Sequence, residues 1–429
     1  MSTALLTDRY EITMIDAAIA SGRHDRESIF EVFARRLPEG RRYGIVAGTG
    51  RLLDLIEQFR FTDAELGWLR ENTVVTSTTL DWLSNYKFNG TIWGYQEGEV
   101  YFPNSPIFVV EGSFAEAVIL ETLTLSVFNY DSAVASAAAR MVSAADGRPL
   151  AEMGSRRASE RSAVAAARAA WIAGFGASSN LEAGREFGIP TMGTAAHAFT
   201  LLHDSEEEAF RAQVAALGSG TTLLVDTYDV TAAVDLAVRV AGTTLGAVRI
   251  DSGDLPSQVA AVRAQLDSLG AVNTKITVTN DLDEYTIAAL RAAPVDSYGV
   301  GTSVVTGSGH PASGMVYKLV SRRGDDGEWR DVAKKSTAKA TVAGRKYPVR
   351  TLVDGVATSE TIHLDAPSEG DAGRSLLVPL ITDGVIDDRY RGAAGAALAR
   401  SHRAAAVAEL PVGAFRLSRG EPAIPTVYV

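Results

Sequence analysis

Between residues 189 and 302 the apolar positions fall into short runs, each followed by a polar residue and then by an amphipathic stretch. Five such runs (189–193, 222–226, 245–250, 275–279 and 295–300) have the length and β-branched content of buried strands. The stretches between them (205–217, 230–240, a segment opening at Asp254, and 281–291) carry apolar residues at helical spacing. Asp254 is placed to cap the third helix, Pro256 falls in its first turn, and Gly270 is placed to terminate it. His197, Asp226, Asp251, Asn280 and the group Gly299, Gly301 and Thr302 follow the strands. A (β/α) barrel of about 250 residues in eight units gives roughly thirty residues per unit and places its chemistry at the carboxyl ends of parallel strands. This segment is therefore expected to form an irregular TIM-like barrel with those polar residues converging on one mouth.

The flanks have another rhythm. Residues 28–36 alternate and predict a half-buried strand, while 49–59 and 63–71 read as helices, the latter capped by Thr62 or Asp63. Short β-rich runs broken by glycine and proline fill 88–110. Long Ala-rich helices follow over 115–145 and 159–173. Beyond Met315 a strand (315–321), an Asp-Gly turn and a return strand (329–332) form a hairpin, and 393–408 is again helical. The expected fold class is α/β: the barrel (111–315) plus an α/β sandwich domain formed by the N-terminal part (1–110) and a C-terminal part (316–429) packing back on it.

Composition narrows the class. A chain of 429 residues, 46% apolar, can bury a large core. The net charge of −11 disfavours nucleic acid and anionic membranes as partners. Cysteine is absent, which excludes disulfides and thiolate metal sites. The start resembles no secretory signal, and no apolar stretch is long enough to span a bilayer. The expectation is a soluble cytoplasmic enzyme.

Three motifs carry chemistry. Arg249-Ile250-Asp251-Ser252-Gly253-Asp254 sets two carboxylates and an arginine beside a glycine that admits close backbone approach. These carboxylates suit Mg²⁺, ribose hydroxyls or a cationic transition state. Gly193-Thr194-Ala195-Ala196-His197 puts a histidine just past a strand. Gly299-Val300-Gly301-Thr302-Ser303 follows a strand and opens a short helix, a common phosphate cradle. Neither a P-loop nor a dinucleotide-binding glycine motif is present.

Together with Thr7–Met14 (TDRYEITM), 30–38 (FEVFARRLP), Glu97-Gly98-Glu99, 154–158 (GSRRA), Ser178-Ser179-Asn180, Asp226-Thr227-Tyr228-Asp229 and 316–320 (VYKLV), these motifs resemble the nicotinate phosphoribosyltransferases, type II phosphoribosyltransferases, in order along nearly the whole chain. The resemblance implies that nicotinate displaces pyrophosphate from phosphoribosyl pyrophosphate to give nicotinate mononucleotide. It further implies ATP hydrolysis coupled through a phosphohistidine at His197, Mg²⁺ with Asp226 and Asp251 as possible ligands, and a homodimer with shared sites. Arg156 and Arg249, with Arg157 assisting, would bracket the nicotinate ring and carboxylate. Tyr10 would stack on the ring from the second subunit. Asp226 and Asp251 would stabilise the oxocarbenium-like transition state, Gly253 would approach the ligand, and Gly301 and Thr302 would hold the 5′-phosphate. Lys334, Lys335, Lys339 and Lys346 lie in a stretch resembling one that meets pyrophosphate or ATP. A neutral Ser179 or Asn180, where nicotinamide-using relatives carry an aspartate, favours the acid substrate. The alternatives are a nicotinamide or quinolinate transferase, a barrel aldolase or isomerase, and a non-catalytic phosphosugar-binding protein.

Overall fold

In the computed structural model, which describes residues 2–334, 341–367 and 373–429, the chain divides into two compact units, 1–136 with 310–429 and 137–309. These bounds differ from the expected 110 and 315. The strand Phe108–Ser113 runs directly into the capped helix Phe114–Val118, whose apolar residues join the core of the first unit.

The first unit is built on a seven-stranded antiparallel sheet that interleaves both ends of the chain. Its order is Trp329–Asp331, Met315–Arg323, Glu27–Ala34, Phe108–Ser113, Thr91–Tyr95, Leu377–Thr382 and Val385–Ile386. The N- and C-terminal segments thus share one sheet. Glu27–Ala34, expected to be half-buried, is buried on both faces. Phe30, Val32 and Ala34 join the main core, and Ile29 packs with Val109 and Val320 on the other side. Glu31, also buried, accepts from Lys346 Nζ at 2.8 Å, and the carbonyls of Val342 and Gly344 satisfy the same ammonium. Lys346 is therefore a buried structural lysine, contrary to its expected place among phosphate-binding lysines. Lys334 is exposed; Lys335 and Lys339 lie outside the described residues.

A second ionic group joins elements remote in sequence. Glu99 receives Arg374 at 2.7 Å, His402 at 2.8 Å and Arg350 at 3.4 Å, while Arg350 also reaches Glu360 at 2.6 Å. Burial alone would raise the Glu99 carboxyl, but His402, Arg374 and Arg350 outweigh it and hold it at about 2, below its ordinary 4.5. A depressed carboxylate contributes stability that is present above its unfolded value and lost as pH falls through the folded one. The Glu99 contribution should therefore vanish between about pH 4.5 and 2. Glu99→Ala takes a shared partner from Arg350, Arg374 and His402 while Arg350 keeps Glu360 and Arg374 keeps Glu409, so the loss should fall at the lower end of the roughly 3–5 kcal/mol of a broken buried pair. We expect thermal denaturation at pH 7 to show a melting temperature lower by about 5–15 °C, and the deficit to shrink in acid. An unchanged melting temperature would show that the cluster is energetically neutral.

The second unit carries six parallel strands: β1 (Leu150–Glu152), β2 (Ala177–Ser178), β3 (Thr222–Leu224), β4 (Ala247–Ile250), β5 (Lys275–Val278) and β6 (Ser297–Val300). Their order is β2-β1-β6-β5-β4-β3, all pairs parallel. The last strand, β6, pairs with the first, β1, so the order is a cyclic permutation of the chain order, open at one seam between β2 and β3. The expectation is an irregular TIM-like barrel; the sheet gives the parallel α/β order, and no closed barrel is found among the described residues. The predicted strand at 189–193 forms only one bridge, Thr191 to Ser178. Pro190 lacks an N–H, and Gly193, Thr194, Ala195 and Ala196 bring little apolar bulk to the ladder, so the chain continues without strand structure to the helix His197–Leu202. Helices Glu206–Leu217, Val230–Ala241 and Leu255–Ser268 stand where the pattern placed them. The expected helix at 281–291 starts later, at Glu284, because Asp281 has a left-handed φ of 31° and Asp283 is the cap.

Candidate active site

Parallel strands in register end at one edge, and that edge of the second unit gathers the polar residues. Glu152, Asp226, Asp251, Thr279 and Gly301 lie at or just beyond the ends of β1, β3, β4, β5 and β6. Strand β4 is buried apart from Arg249. A long cationic side chain at that position cannot join the apolar layer formed by Val248 and Ile250, so it runs to the open edge.

There the Arg249 guanidinium is held from three directions. Nε donates to Thr279 Oγ1 at 2.9 Å, and Nη1 donates to Thr194 Oγ1 at 3.1 Å and to the Ala195 carbonyl at 3.4 Å. Nη2 lies 3.4 Å from Asp251 Oδ1. Asp251 Oδ1 also accepts a short bond from Thr279 Oγ1. Asp226, whose side chain is 2% exposed, directs Oδ2 to the Asp251 N–H (2.9 Å) and to Ser252 Oγ (2.7 Å). Its Oδ1 is buried and, among the described residues, accepts no hydrogen bond.

His197 begins its helix beside this pair. Nδ1 contacts Thr227 Oγ1 at 3.2 Å, and Nε2 stands 3.9 Å from Asp226 Oδ1 and 4.0 Å from Asp251 Oδ2. The ring is 41% exposed, open to a ligand from solvent.

A polar cavity of about 210 Å³ opens beside Arg249 and Asp251, lined also by Met153, Arg156, Arg157, Thr279, Asn280, Asp281, Gly299, Gly301 and Thr302. Arg156 and Arg157 sit on a single 3₁₀ turn (Ser155–Arg157) after β1. Gly299 admits no side chain, since a Cβ would come within 2.7 Å of both Met153 Sδ and Thr279 Cγ2. Gly301 precedes the four-residue helix Thr302–Val305 as expected. Three guanidiniums and a glycine turn around one cavity suit a ligand with more than one anionic group.

Other expected residues do not line this cavity. Gly253 adopts φ 90° in the exposed turn after Asp251. Asp254 occupies the N-cap position, but its side chain makes no capping bond. Ser179 lines a second cavity of about 600 Å³ with Asn180 and Arg161. The Asn180 side chain is committed, accepting from the Ala183 N–H and donating to Ser155 Oγ. Beneath it the buried Glu152 accepts from Ser178 Oγ and the Gly154 N–H, and burial raises its carboxyl above the ordinary range despite both bonds. Tyr10 belongs to the first unit, at the start of the helix Arg9–Ala20, 48% exposed, with burial and Glu121 both pushing its hydroxyl pKa upward.

Sequence reasoning missed Thr279, Thr194, Asp281 and Glu152. The first and last sit at strand ends, a signal available from the same periodicity that found Asp251. Among the described residues no group of three or more histidine, aspartate and glutamate side chains is arranged to hold a metal, and no helix is long and apolar enough to cross a membrane.

Comparison with known proteins places this arrangement among relatives. Residues 5–129 match the model of the nicotinate phosphoribosyltransferase N-terminal domain. The chain is 55% identical to a nicotinate phosphoribosyltransferase of Mycobacterium tuberculosis, over 98% of this chain and 94% of that protein. It is 38% identical to the nicotinate phosphoribosyltransferase of Bacillus subtilis, over 82% of this chain and 74% of that protein. In fold it matches the crystal structure of human nicotinic acid phosphoribosyltransferase with a TM-score of 0.83 at 24% identity, covering 99% of this chain and 97% of that one.

Proposed function

The chain belongs to the nicotinate phosphoribosyltransferase family, and from that premise we propose that it joins nicotinate to phosphoribosyl pyrophosphate, coupled to ATP hydrolysis through His197. The observation that carries the reading is the single cavity shared by Arg156, Arg157, Arg249 and the glycine turn at 299–301. A pyridine carboxylate and a sugar phosphate each need one of those two surfaces.

In this reading the nicotinate carboxylate takes donors from the guanidiniums of Arg249 and Arg156, with Arg157 adding positive field. The ring nitrogen attacks C1 of the phosphoribosyl group, and the C1–O bond to pyrophosphate breaks. Asp251 and Asp226 face the positive charge that develops on the ribose as that bond lengthens. Gly301 and Thr302 receive the 5′-phosphate, and Gly253 gives the ribose or pyrophosphate close backbone approach. Tyr10 covers the ring from a second copy of the chain.

His197 takes the terminal phosphoryl group of ATP on the ring nitrogen that Thr227 leaves free, releasing ADP, and water later removes it as phosphate. While present, that group adds close to two negative charges next to Asp226 and Asp251, enough to shift neighbouring loops and cations. The hard oxygen donors of Asp226 and Asp251, with the buried Asp226 Oδ1 accepting no hydrogen bond, fit Mg²⁺ held mainly through substrate phosphates. Such a cation would neutralise the departing pyrophosphate.

The test is product analysis with nicotinate, nicotinamide and quinolinate, each with phosphoribosyl pyrophosphate and with or without ATP. Nicotinate alone should give efficient mononucleotide formation, faster with ATP and accompanied by ADP release. Preference for either other pyridine, or no mononucleotide from nicotinate, would overturn the reading.

A further inference from the structure

Thr279 stands at the end of β5 between two groups of the site, and none of the roles considered so far falls to it. Its Oγ1 accepts from Arg249 Nε at 2.9 Å and donates to Asp251 Oδ1. A hydroxyl has one proton to give and lone pairs to receive with, so one oxygen satisfies both neighbours and fixes the direction of each bond. The methyl group lies against Gly299, where even a Cβ would approach to 2.7 Å. That contact restricts χ1 of a β-branched residue and so aims the hydroxyl into the gap between guanidinium and carboxylate.

We infer that Thr279 is a positioning residue that holds Arg249 and Asp251 at a fixed separation, so that the group binding the pyridine acid and the group facing the ribose move as one unit. The inference rests on the reading of Arg249 and Asp251 given above. Arg249 and Asp251 otherwise approach each other only at 3.4 Å, too far for a good hydrogen bond between them. Arg249 also grips Thr194 and the Ala195 carbonyl, two residues before His197. The fixed unit therefore extends from the strand β5 end to the segment that carries the histidine.

Thr279→Val keeps the shape and the contact with Gly299 and removes only the hydroxyl. Thr279→Ser keeps the hydroxyl and loses only the methyl. In the presence of ATP, the valine variant should raise the nicotinate KM by roughly tenfold or more, the scale of a lost hydrogen bond to a charged group. It should also lower kcat, because Asp251 loses its orientation. The serine variant should recover most of both losses, and the melting temperature of all three proteins should stay close together. Valine kinetics within twofold of the parent, or equal defects in valine and serine variants, would overturn the inference. Arg249→Ala, run in parallel, separates the two levels. If it leaves the nicotinate KM unchanged, the reading of the site is wrong. If it raises KM and Thr279→Val does not, only the positioning role is wrong.

Discussion

His197→Ala is expected to abolish acceleration by ATP while leaving a slow transferase. The ring touches Thr227 and faces Asp226 and Asp251, but it supplies no bond to Arg249 or to the glycine turn at 299–301. Its removal therefore spares the surfaces that bind nicotinate and the phosphoribosyl group. What disappears is the group that would carry a phosphoryl charge. Couplings between distinct sites typically span 5- to 150-fold, so the stimulated rate should fall by about that range to the ATP-free rate. Two measurements check this: initial rates with and without ATP, and transfer of a radiolabelled terminal phosphate to the protein as an acid-labile adduct. ATP stimulation and labelling that persist in the alanine variant would exclude His197 as the acceptor.

Arg249→Ala has the second largest expected effect, and it falls on nicotinate. The guanidinium is only 16% exposed, so its charge acts with little screening by water. Removing one partner of a desolvated charge pair costs about 2–5 kcal/mol, which corresponds to a rise of roughly 30- to 1,000-fold or more in KM. Thr194, Ala195 and Thr279 lose their donor as well, so part of the loss reflects disturbance of the segment before His197. Arg249→Lys separates these contributions. A lysine keeps the charge but not the planar fork, and should recover only a fraction of the affinity. Nicotinamide, which lacks the carboxylate, should respond far less to either change. Steady-state kinetics with both pyridines reads the difference directly, and an equal effect on both would show that Arg249 does not meet the carboxylate.

Much of the site was legible because its residues follow a periodic signal. Asp226, Asp251 and Gly301 follow apolar runs whose spacing demands parallel strands, and parallel strands end at one edge. The same logic covered Thr279, yet a threonine after Ile276, Thr277 and Val278 reads as one more β-branched strand residue, and nothing local marks its hydroxyl as shared. Lys346 was misread for a different reason. Its neighbours in sequence are basic and polar, while its partner Glu31 lies on a strand near the other end of the chain. Pairings of that range leave no trace in composition. The run at 189–193 has the rhythm of a strand, but a segment with a proline and four small residues after it gains too little from a ladder to form more than one bridge. The first unit's sheet, drawn from both ends of the chain, follows from antiparallel pairings such as Ser28 with Arg322, which no local pattern contains.

One edge of one parallel sheet should hold both halves of the product, and a crystal structure of the protein with nicotinate mononucleotide bound tests that most directly. The pyridine carboxylate should lie within hydrogen-bond distance of Arg249, and the 5′-phosphate should rest on the backbone of Gly301 and Thr302. A mononucleotide bound in the second cavity beside Ser179 and Arg161, or anywhere away from Arg249 and Gly301, would contradict it.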